Sequence, residues 1–105
     1  MFGDNNHIKF KIMRIELKKF GEILTSRPAG KEAYLAMSAY LIKDLGKEEI
    51  IEVDFDGVKV LTPSWADEVI TKIAEKYSHI KLLNFHNPTV LATLKTLRKY
   101  SKMKV

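Results

Sequence analysis

Residues 53–70, Val-Asp-Phe-Asp-Gly-Val-Lys-Val-Leu-Thr-Pro-Ser-Trp-Ala-Asp-Glu-Val-Ile, constrain the fold more tightly than any other stretch of the chain. Val53 and Phe55 alternate with Asp54 in the period of a strand, Asp56-Gly57 supplies a turn, and Val58–Leu61 gives a short extended piece. Thr62-Pro63-Ser64 then opens a helix. Two cap assignments fit it: Thr62 with Pro63 at the first helical position, or Ser64 answered by Asp67 in a shorter-armed capping box. Ala66, Val69, Ile70, Ile73, Ala74 and Tyr77 follow in the three-four rhythm of a buried helical stripe.

The flanking segments repeat this alternation of element types. Residues 8–17 alternate apolar and basic side chains with a phase slip at Met13-Arg14, which predicts a strand with a bulge or a hairpin turn. Gly21 allows a tight turn into Glu22–Leu24, and Thr25-Ser26-Arg27-Pro28 reads as a capped helix start. That helix is predicted from Pro28 to Leu45, with Ala33, Met37, Tyr40 and Leu41 on one face and Gly46 as its stop. Ile50–Phe55 is the next strand and Ile80–Phe85 a short central one. Asn87-Pro88 repeats the cap-then-proline signal, and Val90, Leu91, Leu94 and Leu97 carry the last helix. Strands that alternate with helices need crossover connections, so the later strands should be parallel. The prediction is one α/β domain over residues 1–105, with a mixed β-sheet and helices packed mainly on one face.

Composition narrows the chemistry. The 105 residues suffice for one domain with a substantial core, and 46% hydrophobic with 30% charged residues is ordinary for a globular protein. The absence of cysteine excludes disulfides, thiolate metal sites and thiol nucleophiles. No apolar run reaches bilayer length and no signal peptide is evident, so membrane insertion is not expected and a cytoplasmic location is. The net charge of +5 points to an acidic partner. Lys95, Arg98, Lys99, Lys102 and Lys104 crowd the last dozen residues with no acid among them, a pattern that suits a helix C-terminus and also a nucleic-acid-binding helix.

In a parallel sheet the loops leaving the strands' C-terminal ends gather at one edge, where ligands tend to bind. Here those loops carry Ser26-Arg27, Thr62-Pro63-Ser64-Trp65 and His86-Asn87. Ser64 at a helix opening reads either as a capping hydroxyl or as a phosphoacceptor facing free N–H groups. Trp65 reads either as a lid on the core or as an exposed interface anchor. Asp54 and Asp56 resemble paired carboxylates, yet no histidine is near in sequence, and a solvated face or a turn cap at Gly57 is the simpler role. His7, His79 and His86 lack metal-ligand spacing. Neither a metal nor a cofactor is expected, and the chain does not read as an enzyme.

Phe20-Gly21-Glu22-Ile23-Leu24 with Ser26-Arg27, and Val53–Val58 followed by Thr62–Glu68, resemble the STAS domains of bacterial anti-sigma factor antagonists and sulfate-transporter tails. The likeness is nearer to small STAS-like domains of unassigned function, and it spans residues 8 to 101. In the antagonists a serine at the opening of the second helix is phosphorylated by a partner kinase, and Ser64 falls at that position. The usual aspartate-serine-serine-glycine is here Thr62-Pro63-Ser64-Trp65. The resemblance implies a regulatory module that docks on an ATP-binding kinase-like or switch protein through Arg27, Thr62, Ser64, Trp65 and Asn87. The alternative is nucleic-acid binding through Lys95, Arg98, Lys99 and Lys102.

Overall fold

A computed structural model describes residues 11–43, 45–46 and 48–101. Strands β1 (Ile12–Glu16), β3 (Ile50–Asp54) and β5 (His79–Leu83) form a parallel sheet in the order β1-β3-β5. A two-residue strand β2 (Ile23–Leu24) pairs in parallel with β4 (Val60–Leu61) as a separate ribbon. The helices are α1 (Arg27–Tyr40), α2 (Pro63–Ala66), α3 (Lys72–Lys76) and α4 (Pro88–Tyr100). A π-helical segment, Asp67–Thr71, joins α2 to α3, so residues 63–76 form one continuous rod. The α/β prediction holds, and every described strand pair is parallel. The hairpin expected over 8–17 falls partly on residues 8–10, outside the described residues.

Alternation decides which face of the sheet is covered. Ile15 pairs with Val53 and Val53 with Leu82, a row that points into the core. One residue along, Arg14, Glu52 and Lys81 form the opposite row, with Arg14 and Lys81 exposed and Arg14 Nε 3.1 Å from Glu52 Oε1. The period of two therefore sorts apolar from charged side chains. Right-handed crossovers in a sheet that grows in one direction put successive helices on the same side. β5, expected at the centre, lies at the edge of the described sheet. Its His79 and Lys81 are exposed and its Ile80 and Leu82 only half-buried, whereas Ile51 and Val53 of the central β3 are fully buried.

α1 ends at Tyr40, short of the predicted Leu45. The N–H groups of Leu41 and Ile42 both bond to Met37 O at 2.9 Å, and Ile42 folds into the core. The buried Tyr77 hydroxyl donates to Ile42 O at 3.1 Å and satisfies the carbonyl that the helix releases. Tyr40 is consequently 83% exposed rather than on the core face, and Leu41 is exposed too. The predicted stripe of the second helix is borne out: Ala66, Val69, Ile70, Ile73 and Tyr77 are buried and Ala74 packs against them.

α1 crosses the rod very closely. A β-carbon on Gly30 would lie 2.7 Å from Trp65 O and 3.0 Å from Trp65 Cα. Glycine in a helix costs about 1 kcal/mol relative to alanine, so this glycine serves the crossing. The second constrained glycine, Gly57, has φ +82° in the turn after β3, where Asp54 Oδ1 accepts the Asp56 N–H at 2.9 Å. Gly30→Ala should destabilise the fold by roughly 1–3 kcal/mol, read as a lower urea midpoint. A gain of stability, as helix propensity alone would give, would show that the two backbones are not in contact.

Candidate functional site

The short β2–β4 ribbon positions the site. Thr62 N–H bonds to Leu24 O at 3.0 Å, and the Thr62 hydroxyl bonds to the same carbonyl at 3.3 Å. This brings the start of α1 beside the start of the rod. Ser26 caps α1, its Oγ accepting from Ala29 N at 3.3 Å, and sits at φ +72°, a region L residues seldom occupy. Arg27 is the first helical residue. Its Nη1 donates to Asp67 Oδ2 at 2.8 Å and to Glu68 Oε2 at 2.6 Å.

The network continues on both sides. Lys72 Nζ donates to Glu68 Oε1 at 2.6 Å and lies 5.5 Å from the Tyr34 ring centroid. Ser101 Oγ donates to Asp67 Oδ1 at 3.0 Å, tying the end of α4 to the π segment. The Arg27 guanidinium, first among the causes, holds the Asp67 carboxyl below its ordinary value. Lys72 and then Arg27 do the same for Glu68. The two carboxylates in turn raise Arg27, Asp67 contributing most. Arg27 is half-exposed, so solvent screens these pairs and they act chiefly as positioning contacts.

Ser64 is exposed and lies at the second position of the rod, not at its cap; Thr62 occupies the cap position. The first helical bond is Ala66 N–H to Thr62 O at 3.0 Å, and Pro63 has no N–H. The amide hydrogens of Ser64 and Trp65 therefore have no helical acceptor. Thr62 supplies no side-chain cap because its hydroxyl is turned to Leu24. A shallow cleft of about 260 Å³ gathers Arg27, Ser64, Asp67, Thr96, Tyr100 and Ser101. Tyr100 stands 73% exposed at this cleft.

The structure divides the residues predicted to share an edge. Arg27 and Ser64 meet, and Thr62 lies next to them with its hydroxyl committed to β2. Trp65, expected as a possible exposed anchor, is 2% exposed. One helical step past Ser64 its side chain turns beneath α1, where it floors a depression with Phe20, Ala33 and Ala36. Asn87 caps α4, accepting from Thr89 N at 2.7 Å and Val90 N at 3.4 Å. Its amide also donates to Val58 O and Lys59 O at 3.2 Å. It stands at the far end of α4 from Tyr100, about 20 Å along the axis, and is fully engaged in the fold.

Asp54 is nearly buried and accepts from Asn84 Nδ2 at 2.8 Å as well as from Asp56 N. The Asn84 bond, with the Asp56 N–H adding to it, lowers its pKa against the opposing effect of burial. It caps the turn at Gly57, one of the roles the sequence suggested. His86 stacks on Phe85 at 4.7 Å, and His79 faces Glu48 at 3.4 Å. Among the described residues no three His, Asp or Glu side chains are grouped to hold a metal, and no helix is long and apolar enough to cross a membrane.

Sequence reading missed the pairing of Arg27 with Asp67 and Glu68. Only the Glu68–Lys72 spacing of four residues could have signalled part of it. Both carboxylates are held below their ordinary values of 3.8 and 4.5, so the stability they confer is complete above those values and lost as pH falls through the folded-state pKa. Urea midpoints measured from about pH 6 down to about pH 3 should therefore fall. They should fall less steeply in Arg27→Gln, and equal slopes would remove the network from the account.

A family model, the STAS-like domain of unknown function (DUF4325), matches residues 38–90. No curated protein and no solved structure matches the chain.

Proposed function

Given that the chain belongs to the family of STAS-like domains of unknown function, we propose that it is a non-catalytic regulatory module that binds a protein partner and is switched by phosphorylation of Ser64. The observation that carries this reading is the cleft at the rod's opening, where an exposed serine hydroxyl and a half-exposed arginine stand together. A phosphate added there brings about two negative charges to a helix N-terminus, beside the free amide hydrogens of Ser64 and Trp65. Asp67 stands one turn on and opposes that charge. Arg27, already bound to Asp67, offsets it.

Burial of Trp65 supports the reading in a second way. The residue after the acceptor is small in the antagonists and large here, but its bulk is packed inward and leaves the hydroxyl open. The non-catalytic part rests on Ser64 itself. No histidine or carboxylate lies within hydrogen-bonding distance of its hydroxyl among the described residues, so no base is in place to make it a nucleophile. By analogy with anti-sigma factor antagonists, the partner is an ATP-binding kinase-like or switch protein, and phosphorylation changes the docking surface without unfolding the domain.

Incubation with ATP and a kinase-like protein encoded beside the gene, followed by mass spectrometry of the tryptic peptides, should find one phosphate on Ser64. Ser64→Ala should abolish the modification and keep the complex, whereas Ser64→Glu should weaken it at least about tenfold. An unmodified Ser64, or a complex indifferent to Ser64→Glu, would overturn the switch.

A further inference from the structure

α4 has two unlike faces. Val90, Thr93, Leu94 and Leu97 are buried in the core, while Leu91, Ala92, Lys95, Arg98 and Lys99 form an exposed stripe on the other side. The helix contains no acidic residue. Arg98 and Lys99 lie in its last turn, where the helix dipole favours cations. That argument does not reach Lys95, a turn further back. Lys95 and Lys99 stand four residues apart, where like charges destabilise an isolated helix and a glutamate at residue 95 would stabilise it. Among the described residues neither lysine has an ion-pair partner within the domain; Lys99 lies over the Tyr100 ring, 5.3 Å from its centroid. Tyr100 in turn lines the Ser64 cleft.

We propose that the outer stripe of α4 docks an acidic segment of a protein partner, alongside the Ser64 cleft. The inference rests on the regulatory reading and names the chemistry of the partner. The local electrostatic cost carried by the helix is recovered when anionic groups, such as the carboxylates of an acidic segment, lie against it. Other acidic surfaces fit less well. The two lysines span about 6 Å of the helix axis and, with Arg98, offer a nucleic acid only three cations of α4 and no groove-reading motif. A bilayer is excluded by packing: the apolar side of α4 already fills the core and is not free to insert. Leu91 and Tyr100, exposed among the cations, suit a protein surface that mixes apolar and acidic groups.

The geometry also bears on the switch. A phosphate on Ser64 would stand beside the same docking surface and repel an acidic segment seated on α4. Phosphorylation would then release the partner by charge, with no rearrangement of the fold.

The test uses a synthetic glutamate-rich helical peptide with interspersed leucines, titrated into the isotopically labelled full chain at low salt. Amide shifts should centre on Lys95, Lys99 and Tyr100. Lys95→Gln/Lys99→Gln should weaken binding about tenfold, and Lys43→Gln/Lys81→Gln, which removes the same charge elsewhere, about twofold or less. Circular dichroism would confirm that both variants fold, since all four lysines are exposed. Equal losses in the two variants, or shifts spread over every basic residue, would overturn the proposal. So would a short DNA duplex or phosphatidylserine vesicles binding α4 more tightly than the peptide. Such failures with Ser64 still phosphorylated would leave the regulatory reading standing. An unmodified Ser64 with peptide binding intact would do the reverse.

Discussion

α1 and the rod of residues 63–76 cross at a point where neither could approach the other if residue 30 carried a β-carbon. The backbone of Trp65 occupies the space that such an atom would need, 2.7 Å away at its carbonyl oxygen. That single contact sets the rest of the site. Arg27 lies one turn before Gly30, and Glu68 one turn beyond Trp65, so the crossing lays the guanidinium over the two carboxylates. It also seals Trp65 inside. Loss of a buried tryptophan costs about 3–5 kcal/mol, whereas solvent screens a half-exposed ion pair. Packing holds the helices together, and the charges choose their orientation.

The π-helical segment lies at the same place. π turns are uncommon and tend to mark functional positions within otherwise regular helices. Here the segment carries Asp67 and Glu68, which reach a single Arg27 nitrogen while each also takes a second partner, Ser101 and Lys72 respectively. One arginine thus links the starts of α1 and the rod to the end of α4. A charge added at Ser64 enters this network directly, because Ser64 and Arg27 share one cleft.

Much of the local structure was legible. The cap-then-proline pairs at Ser26-Arg27-Pro28 and Asn87-Pro88 announced α1 and α4, and both caps are made by the named side chains. The stripe from Ala66 to Tyr77 was read correctly because helical period and burial agree along it. The errors fall where a tertiary contact overrides a local pattern. α1 stops early because Ile42 gains more from the core than from another helical turn, and Tyr77 completes its hydrogen bonding. Of the two readings of Trp65, a lid on the core or an exposed anchor, burial favours the first, because a glycine 35 residues away opens the space that buries it.

What the chain determined by itself was the order of strands and helices, their starting points and the position of an exposed serine at a helix opening. Those features follow from side-chain periodicity, proline geometry and capping, all of which act within a few residues. Tertiary structure alone decided which predicted residues meet. Ser64 and Arg27 converge because the β2–β4 ribbon joins two loops nearly forty residues apart, and Asn87 is carried away along the length of α4. Contacts of that separation depend on where whole elements pack, and no local pattern encodes it.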